Sequence, residues 1–266
     1  MSRERRGSEP LDPFAGLFRL LMAAEVGAAA DSEFDDEDDD GFLSSHRLAQ
    51  GIASRLARLD IERERAPELV ADLLTMDPLD RLERIASSPE ITTWGTIEHL
   101  LERGRALSLR QDPNAIESFD LALTILPYLE ALSYGEACIK DLEARTWTQL
   151  AEARRRQGDL DGAERALEQA HEYLLEGTGD VLEKAQLFEA EAALRSDRGD
   201  TAQALAAIDR AIAVFRATKD LHLGGLSRRA KARIHRVAGQ RTEAVRVGSA
   251  AVAAIDPERD LEAAIA

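Results

Sequence analysis

The stretch WTQLAEARRRQGDLDGAERALEQA, Trp147–Ala170, decides the fold. Trp147, Leu150 and Ala151 precede a glycine, Gly158, and Ala163, Leu167 and Ala170 follow it. Both groups recur at three- to four-residue intervals, the period of a helix with one buried face. Glycine tolerates the left-handed backbone that closes a helix. The stretch therefore predicts two helices folded against each other. The layout returns twice: FEAEAALRSDRGDTAQALAAIDRA begins at Phe188, and RRAKARIHRVAGQRTEAVRVGSAA begins at Arg228. Gly158, Gly199 and Gly239 stand 41 and 40 residues apart, as do Ala163, Ala204 and Ala244, and Ala170, Ala211 and Ala251. Self-similarity at a fixed period marks a repeat architecture, in which each unit buries its apolar face on a neighbour.

Physical roles follow from the residue types. Alanines suit places where two helices approach closely, and Trp147, Leu150, Leu167, Phe188 and Ile208 fill the space between hairpins. Asp161, Asp200 and Thr242 are the expected N-caps, their side-chain oxygens accepting from the next helix. Asp161 with Glu164, and Asp200 with Gln203, fit capping boxes. An earlier unit is expected at Asp112-Pro113-Asn114-Ala115, because Ala115, Phe119 and Ala122 precede Ala163, Leu167 and Ala170 by 48 residues each.

These residues resemble the tetratricopeptide repeat, a helix–turn–helix unit. Trp147, Leu150, Ala151, Gly158, Ala163, Leu167 and Ala170 fall on that family's pattern, and Asp256-Pro257 sits near its terminal proline. Arg154 replaces an expected aromatic residue, Glu191 an aliphatic one, and Arg228 and Lys231 bulky ones. The period exceeds the usual ~34 residues, as in the lengthened repeats of bacterial regulatory domains. The resemblance implies an all-α fold: an α-solenoid of TPR-like helical hairpins with an N-terminal helical extension. On this reading residues 1–43 form a tail, and 44–266 the helical body. Within the body, 44–91 are N-terminal helices, 92–257 the repeats and 258–266 a C-terminal cap.

In that family the first helix of each unit lines a concave groove. The matching inward positions are Arg145, Thr148, Glu152, Arg155 and Arg156 in the first unit. In the second they are Gln186, Glu189, Ala193, Ser196 and Asp197. In the third they are Leu226, Arg229, Arg233, Arg236 and Val237. The groove so implied carries six arginines, whose forked guanidinium groups suit carboxylates. An acidic peptide or protein is the partner expected there. The competing reading is that these arginines are solvated or paired with acids of neighbouring helices.

The rest of the chain bounds the function. It has 266 residues, 34 Lys and Arg against 50 Asp and Glu, and a net charge of −16. DSEFDDEDDD, residues 31–40, holds eight of the acids and no base. Such a run repels itself and reads as a linker or interaction tail. It is also a candidate intramolecular occupant of the arginine groove. An overall negative balance argues against direct nucleic-acid binding or an anionic membrane surface. Residues 13–26, PFAGLFRLLMAAEV, predict a short amphipathic helix beginning at Pro13. Ser44–Arg65 predicts a helix, Pro67 the start of a second through Met76, and Asp77-Pro78 the start of a third ending near Ser87. Thr92–Leu109 predicts a fourth. The helices Ala244–Ile255 and Leu261–Ala266 suit either a cap or a contact with another copy.

Candidate chemistry is sparse. Asp36, Asp38, Asp40 and Gly41 match the start of a calcium loop, but Arg47 stands where a bidentate glutamate is required. No two of the five histidines lie at i, i+4, and no HExxH motif occurs. Cys138, the single cysteine, reads as a small core residue. Gly177-Thr178-Gly179-Asp180 lacks the strand and lysine of a nucleotide loop, and reads as a connection with Asp180 capping the next helix. The expectation is a non-catalytic adaptor or regulatory scaffold without metal or cofactor. The alternative is a regulatory component of transcriptional control acting with a separate DNA-binding protein. Arg19 and Glu25 interrupt the N-terminal apolar run, so no export signal is read, and a lone cysteine fits the cytoplasm.

Overall fold

The computed structural model describes residues 40–257, with side chains from Gln50 onward. The expected helix at 13–26, residues 31–39 of the acidic run and the cap at 258–266 lie outside the described residues. Those described form eleven α-helices, one 3-10 turn and no strand. The α-helices are α1 (Asp40–Thr75), α2 (Pro78–Ser87), α3 (Trp94–Leu109), α4 (Asn114–Ile125), α5 (Ala131–Tyr134) and α6 (Glu136–Arg156). After these come α7 (Leu160–Glu176), α8 (Val181–Asp197), α9 (Thr201–Ala217), α10 (Leu221–Val237) and α11 (Arg241–Val252). The 3-10 turn, Leu126–Tyr128, leads from α4 towards α5. No described helix is long and apolar enough to cross a membrane.

One local rule builds most of the junctions. Asp159 N–H donates to Arg154 O at 3.0 Å and Gly158 N–H to Arg155 O at 3.0 Å, the paired bonds of a Schellman turn. Asp200 to Arg195, Asp220 to Phe215, Gln240 to His235 and Asp112 to Leu107 repeat the longer bond at 2.8–3.0 Å. The residue before each has a positive φ: Gln111, Gly158, Gly199, Lys219 and Gly239. At three of these junctions the residue after it then caps the next helix. Asp159, Asp200 and Asp220 accept from Gly162 N, Gln203 N and Leu223 N. Two of the expected caps are thereby corrected. Asp161 lies inside α7, whose cap is Asp159, and Thr242 lies inside α11, whose flanking residue Gln240 makes no side-chain cap bond. The cap follows the turn residue directly, leaving no room for two more residues. At α4, Asp112 Oδ1 accepts from Asn114 N at 2.9 Å.

The break expected at Pro67 is absent. α1 runs through it as one helix of 36 residues. Proline removes one backbone bond and strains the turn before it, at ~3 kcal/mol. However, Leu59, Ala66, Val70 and Leu73 are buried on one side of α1, and Pro67 is exposed on another. The apolar stripe crosses the proline without interruption, so burial holds the two halves in line. Gly95 of α3 lets this helix approach: a Cβ there would stand 2.6 Å from the Glu62 carbonyl carbon.

Packing follows chain order. α3 pairs with α4, α6 with α7, α8 with α9, and α10 with α11. Each pair then meets the next: α3 and α4 touch α6, α6 and α7 touch α8, and α8 and α9 touch α10. The core divides accordingly. One cluster joins α1, α2, α3, α4 and α6 around Phe119, Ile97 and Leu150. A second joins α6, α7 and α8, and a third α8, α9 and α10. Trp147 packs against both the first and the second. Ala163, Ala166 and Ala170 in α7, and Ala204, Ala207 and Ala211 in α9, are almost fully buried. Small side chains there let paired helices close together.

Candidate functional site

The residues expected to line a groove fall on α6, α8 and α10. On α6 the arginines are already neutralised. Arg145 Nε and Nη2 reach Glu183 Oε1 of α8 at 3.0 and 2.5 Å, and the Glu183 side chain is 7% exposed. Arg155 grips Glu152 through Nε at 2.8 Å and Nη2 at 2.7 Å, and its Nη1 pairs with Asp197 of α8. The Arg155 side chain is only 11% exposed. Arg156 Nε donates to Glu152 Oε1 at 2.7 Å. Burial alone would raise the Glu152 carboxyl, but the two guanidinium groups outweigh it and hold the carboxyl below its ordinary value. Thr148 is buried, its hydroxyl donating to Ala144 O at 2.8 Å.

On α8, Gln186 is exposed and Glu189 is half-buried. Ser227 Oγ of α10 donates to Glu189 Oε1 at 2.5 Å. Burial pushes the Glu189 carboxyl above its ordinary value, and the serine only partly offsets this.

α10 differs. Arg229, Arg233 and Arg236 lie at i, i+4 and i+7, one face of the helix, and all three are exposed. Arg233 and Arg236 make no ion pair among the described residues. The opposite side buries Ser227, Ile234 and His235, while His222, two turns before Arg229 on the same face, is buried beneath Asp256, whose N–H donates to its Nδ1 at 3.1 Å. From Leu221 to Val252, α10 and α11 carry seven Lys and Arg against one acid, Glu243, a local charge of +6 in a chain of −16. Lys231 pairs with Asp209 and Arg246 with Glu243, whereas Arg228, Arg233, Arg236 and Arg241 hold no ion pair among the described residues. The anticipated arginine row thus splits: spent on internal acids at α6, with Arg233 and Arg236 of α10 holding none among the described residues. The pairing of Arg145 with Glu183 is what the competing expectation, arginines paired with acids of neighbouring helices, describes; only the particular partner was not named. Its signal is an offset of 38 residues, shared by Glu189 and Ser227.

A cleft of about 530 Å³ lies at the other end, between α1, the α2–α3 connection and α5. Its polar groups largely satisfy one another. Tyr134 O–H donates to Glu62 Oε1 at 2.7 Å and accepts from Trp94 N at 3.3 Å, while Gly95 N donates to Glu62 Oε2. Arg58 sits over the Tyr134 ring at 4.8 Å and donates to Ser133 O at 3.0 Å. Below this cleft Glu98 accepts from Arg63 at 2.9 Å and from the Trp94 indole. Cys138 is partly buried, and burial together with Asp141 pushes its thiol up, away from the reactive thiolate. Among the described residues no group of three or more His, Cys, Asp or Glu is disposed to hold a metal ion. No protein-family model, curated protein or solved structure matches the chain.

Proposed function

We propose that this chain is a non-catalytic adaptor or regulatory scaffold that binds an acidic protein or peptide segment on the α10 end of a TPR-like α-solenoid. One observation carries the reading: Arg233 and Arg236 are exposed and hold no ion pair among the described residues, within a hairpin of net charge +6. Elsewhere on the same row the arginines are neutralised by Glu152, Glu183 and Asp197. Guanidinium groups left open to solvent on one helix face suit a string of carboxylates. The chain-order packing of hairpins supports a stacked repeat with an extended surface, which is how such stacks commonly bind.

The test is fluorescence anisotropy with a labelled decaglutamate peptide. Arg233→Glu with Arg236→Glu should weaken binding at least about tenfold, since like charges then face the peptide, with unchanged helical circular dichroism. Arg155→Glu behaves differently. It sets three carboxylates together in a nearly buried place and should lower stability by ~3 kcal/mol in urea unfolding. Equal peptide affinity in wild type and the Arg233/Arg236 double variant overturns the reading.

A further inference from the structure

The basic hairpin lies at the end of the helix series opposite to the acidic run. Asp40, the last residue of that run, begins α1. α1 packs mainly on α3, and the series then passes through α6 and α8 before it reaches α10. Those four steps, at about 8–10 Å each, amount to roughly 35 Å. The nine residues from Asp31 to Asp39 reach about 30 Å when fully extended. The run is thus tethered, through Asp40, at the end of the series farthest from α10.

The internal pairing shows what α10 lacks. Arg145 and Arg155 of α6 receive their carboxylates from Glu183 and Asp197, on the helix that follows in the series. The described residues after α11 fold back on the start of α10: Asp256 N–H donates to His222 Nδ1 at 3.1 Å, a Cβ on Gly225 would stand 2.8 Å from Ile255, and Pro257 is again helical. Arg236, the counterpart of Arg155, and Arg233 beside it hold no carboxylate among the described residues.

We infer that the acidic run of a second copy of this chain supplies those carboxylates, so that copies associate head to tail, residues 31–40 of one against Arg233 and Arg236 of the next. This rests on the reading of the α10 row as a site for acidic segments. The contact is heterologous: each copy offers one acidic end and one basic end. It propagates to rings or open chains rather than stopping at a symmetric dimer. Being built from exposed charges, it weakens as salt rises.

Two full-length variants test the inference by sedimentation velocity. In one, the acids of residues 31–40 become Asn or Gln. In the other, Arg233 and Arg236 become Glu. Wild type should give species larger than a monomer that grow with concentration at low salt, and the apparent association constant should fall at least about tenfold at ~0.5 M salt. Each variant alone should remain monomeric. Their mixture should form a 1:1 dimer and nothing larger, because it contains one intact acidic run and one intact arginine row. Helical circular dichroism checks that both variants fold.

A monomeric wild type at low salt overturns the inference, as does association that survives loss of the acidic run. If wild type is monomeric and neutralising its run tightens decaglutamate binding, the run covers its own row and the second copy is excluded. Association that survives neutralising residues 31–40 and is lost when Glu258, Asp260 and Glu262 are changed instead overturns the inference and assigns the acidic partner to the chain's C-terminal segment. If decaglutamate binds neither wild type nor the neutralised-run variant, the functional reading itself fails. If it binds both equally while wild type stays monomeric, only the self-association fails.

Discussion

Single side chains decide where this surface is charged and where it is not. Arg155 and Arg236 are alike in sequence pattern, yet one faces Asp197 and the other faces solvent. The same applies to Glu189, which meets a neutral hydroxyl rather than a cation. Its carboxyl is raised by burial. A raised carboxyl binds its proton more tightly in the folded chain, so it favours folding at acid pH. That contribution is lost as pH rises from the ordinary value of 4.5 through the folded value. Glu189→Gln retains an acceptor for Ser227 and removes the charge. It should therefore raise the thermal midpoint at pH 7 and change it little at pH 4, as differential scanning fluorimetry across that range can show. Residue identities alone made Arg145, Arg155 and Arg156 look available. Their neutralisation depends on which turn of α8 packs beside which turn of α6. Arg145 with Glu183 and Glu189 with Ser227 are each 38 residues apart, and Asp141 with Thr178 are 37 apart. Those offsets fall about one helical turn short of the repeat, and with the offset known the partner can be read from the chain.

At the scale of elements, the turn is the repeating object. Helix identity was legible because Ala163, Leu167 and Ala170 and their counterparts keep their period. Cap positions were legible at Asp200 and Asp180, and misplaced at Asp161 and Thr242 because the turn is tighter than assumed. The junction between α9 and α10 was invisible: Lys219 occupies the left-handed position that glycine holds at 158, 199 and 239. Lysine pays a steric penalty there that glycine avoids. Lys219→Gly should accordingly stabilise the chain by ~0.5–1 kcal/mol, measured by urea unfolding. Gly199→Lys should lose a similar amount. An unchanged or lowered midpoint in Lys219→Gly would show that its side chain contributes more than its backbone costs. The reverse error occurred at Pro67, where a local breaker was read as a helix end. The buried stripe of Leu59, Ala66, Val70 and Leu73 outweighed it, and only a window that crosses the proline displays that stripe.

The whole molecule is graded from end to end. The first core cluster draws on five helices and the large side chains Phe119, Trp94 and Leu150, whereas the third is rich in alanine. α11 buries only Val247 and Ala251, and Val245 and Val252 are exposed on it. Local opening should therefore cost least at α11 and most around α3 and α6. Native-state hydrogen exchange should show amides of α11 exchanging first, those of α3 and α6 last, and α8 in between; uniform protection would contradict the gradient. All-helical architecture and repeat spacing were legible in the sequence, because both depend on period. The open end of the arginine row was not, because it depends on which carboxylates lie across the next interface.

The chain-order packing also carries a consequence for how the protein comes into being. Each helix finds its main partners among its near successors, so few contacts wait for distant parts of the chain. During synthesis a hairpin can settle on its predecessor as soon as both have left the ribosome. The α1–α4 portion offers the first template, and later hairpins add to it one by one. Short-range contact maps of this kind accompany fast folding, in microseconds to milliseconds for helical domains of low contact order. The basic hairpin is then the last described part to form.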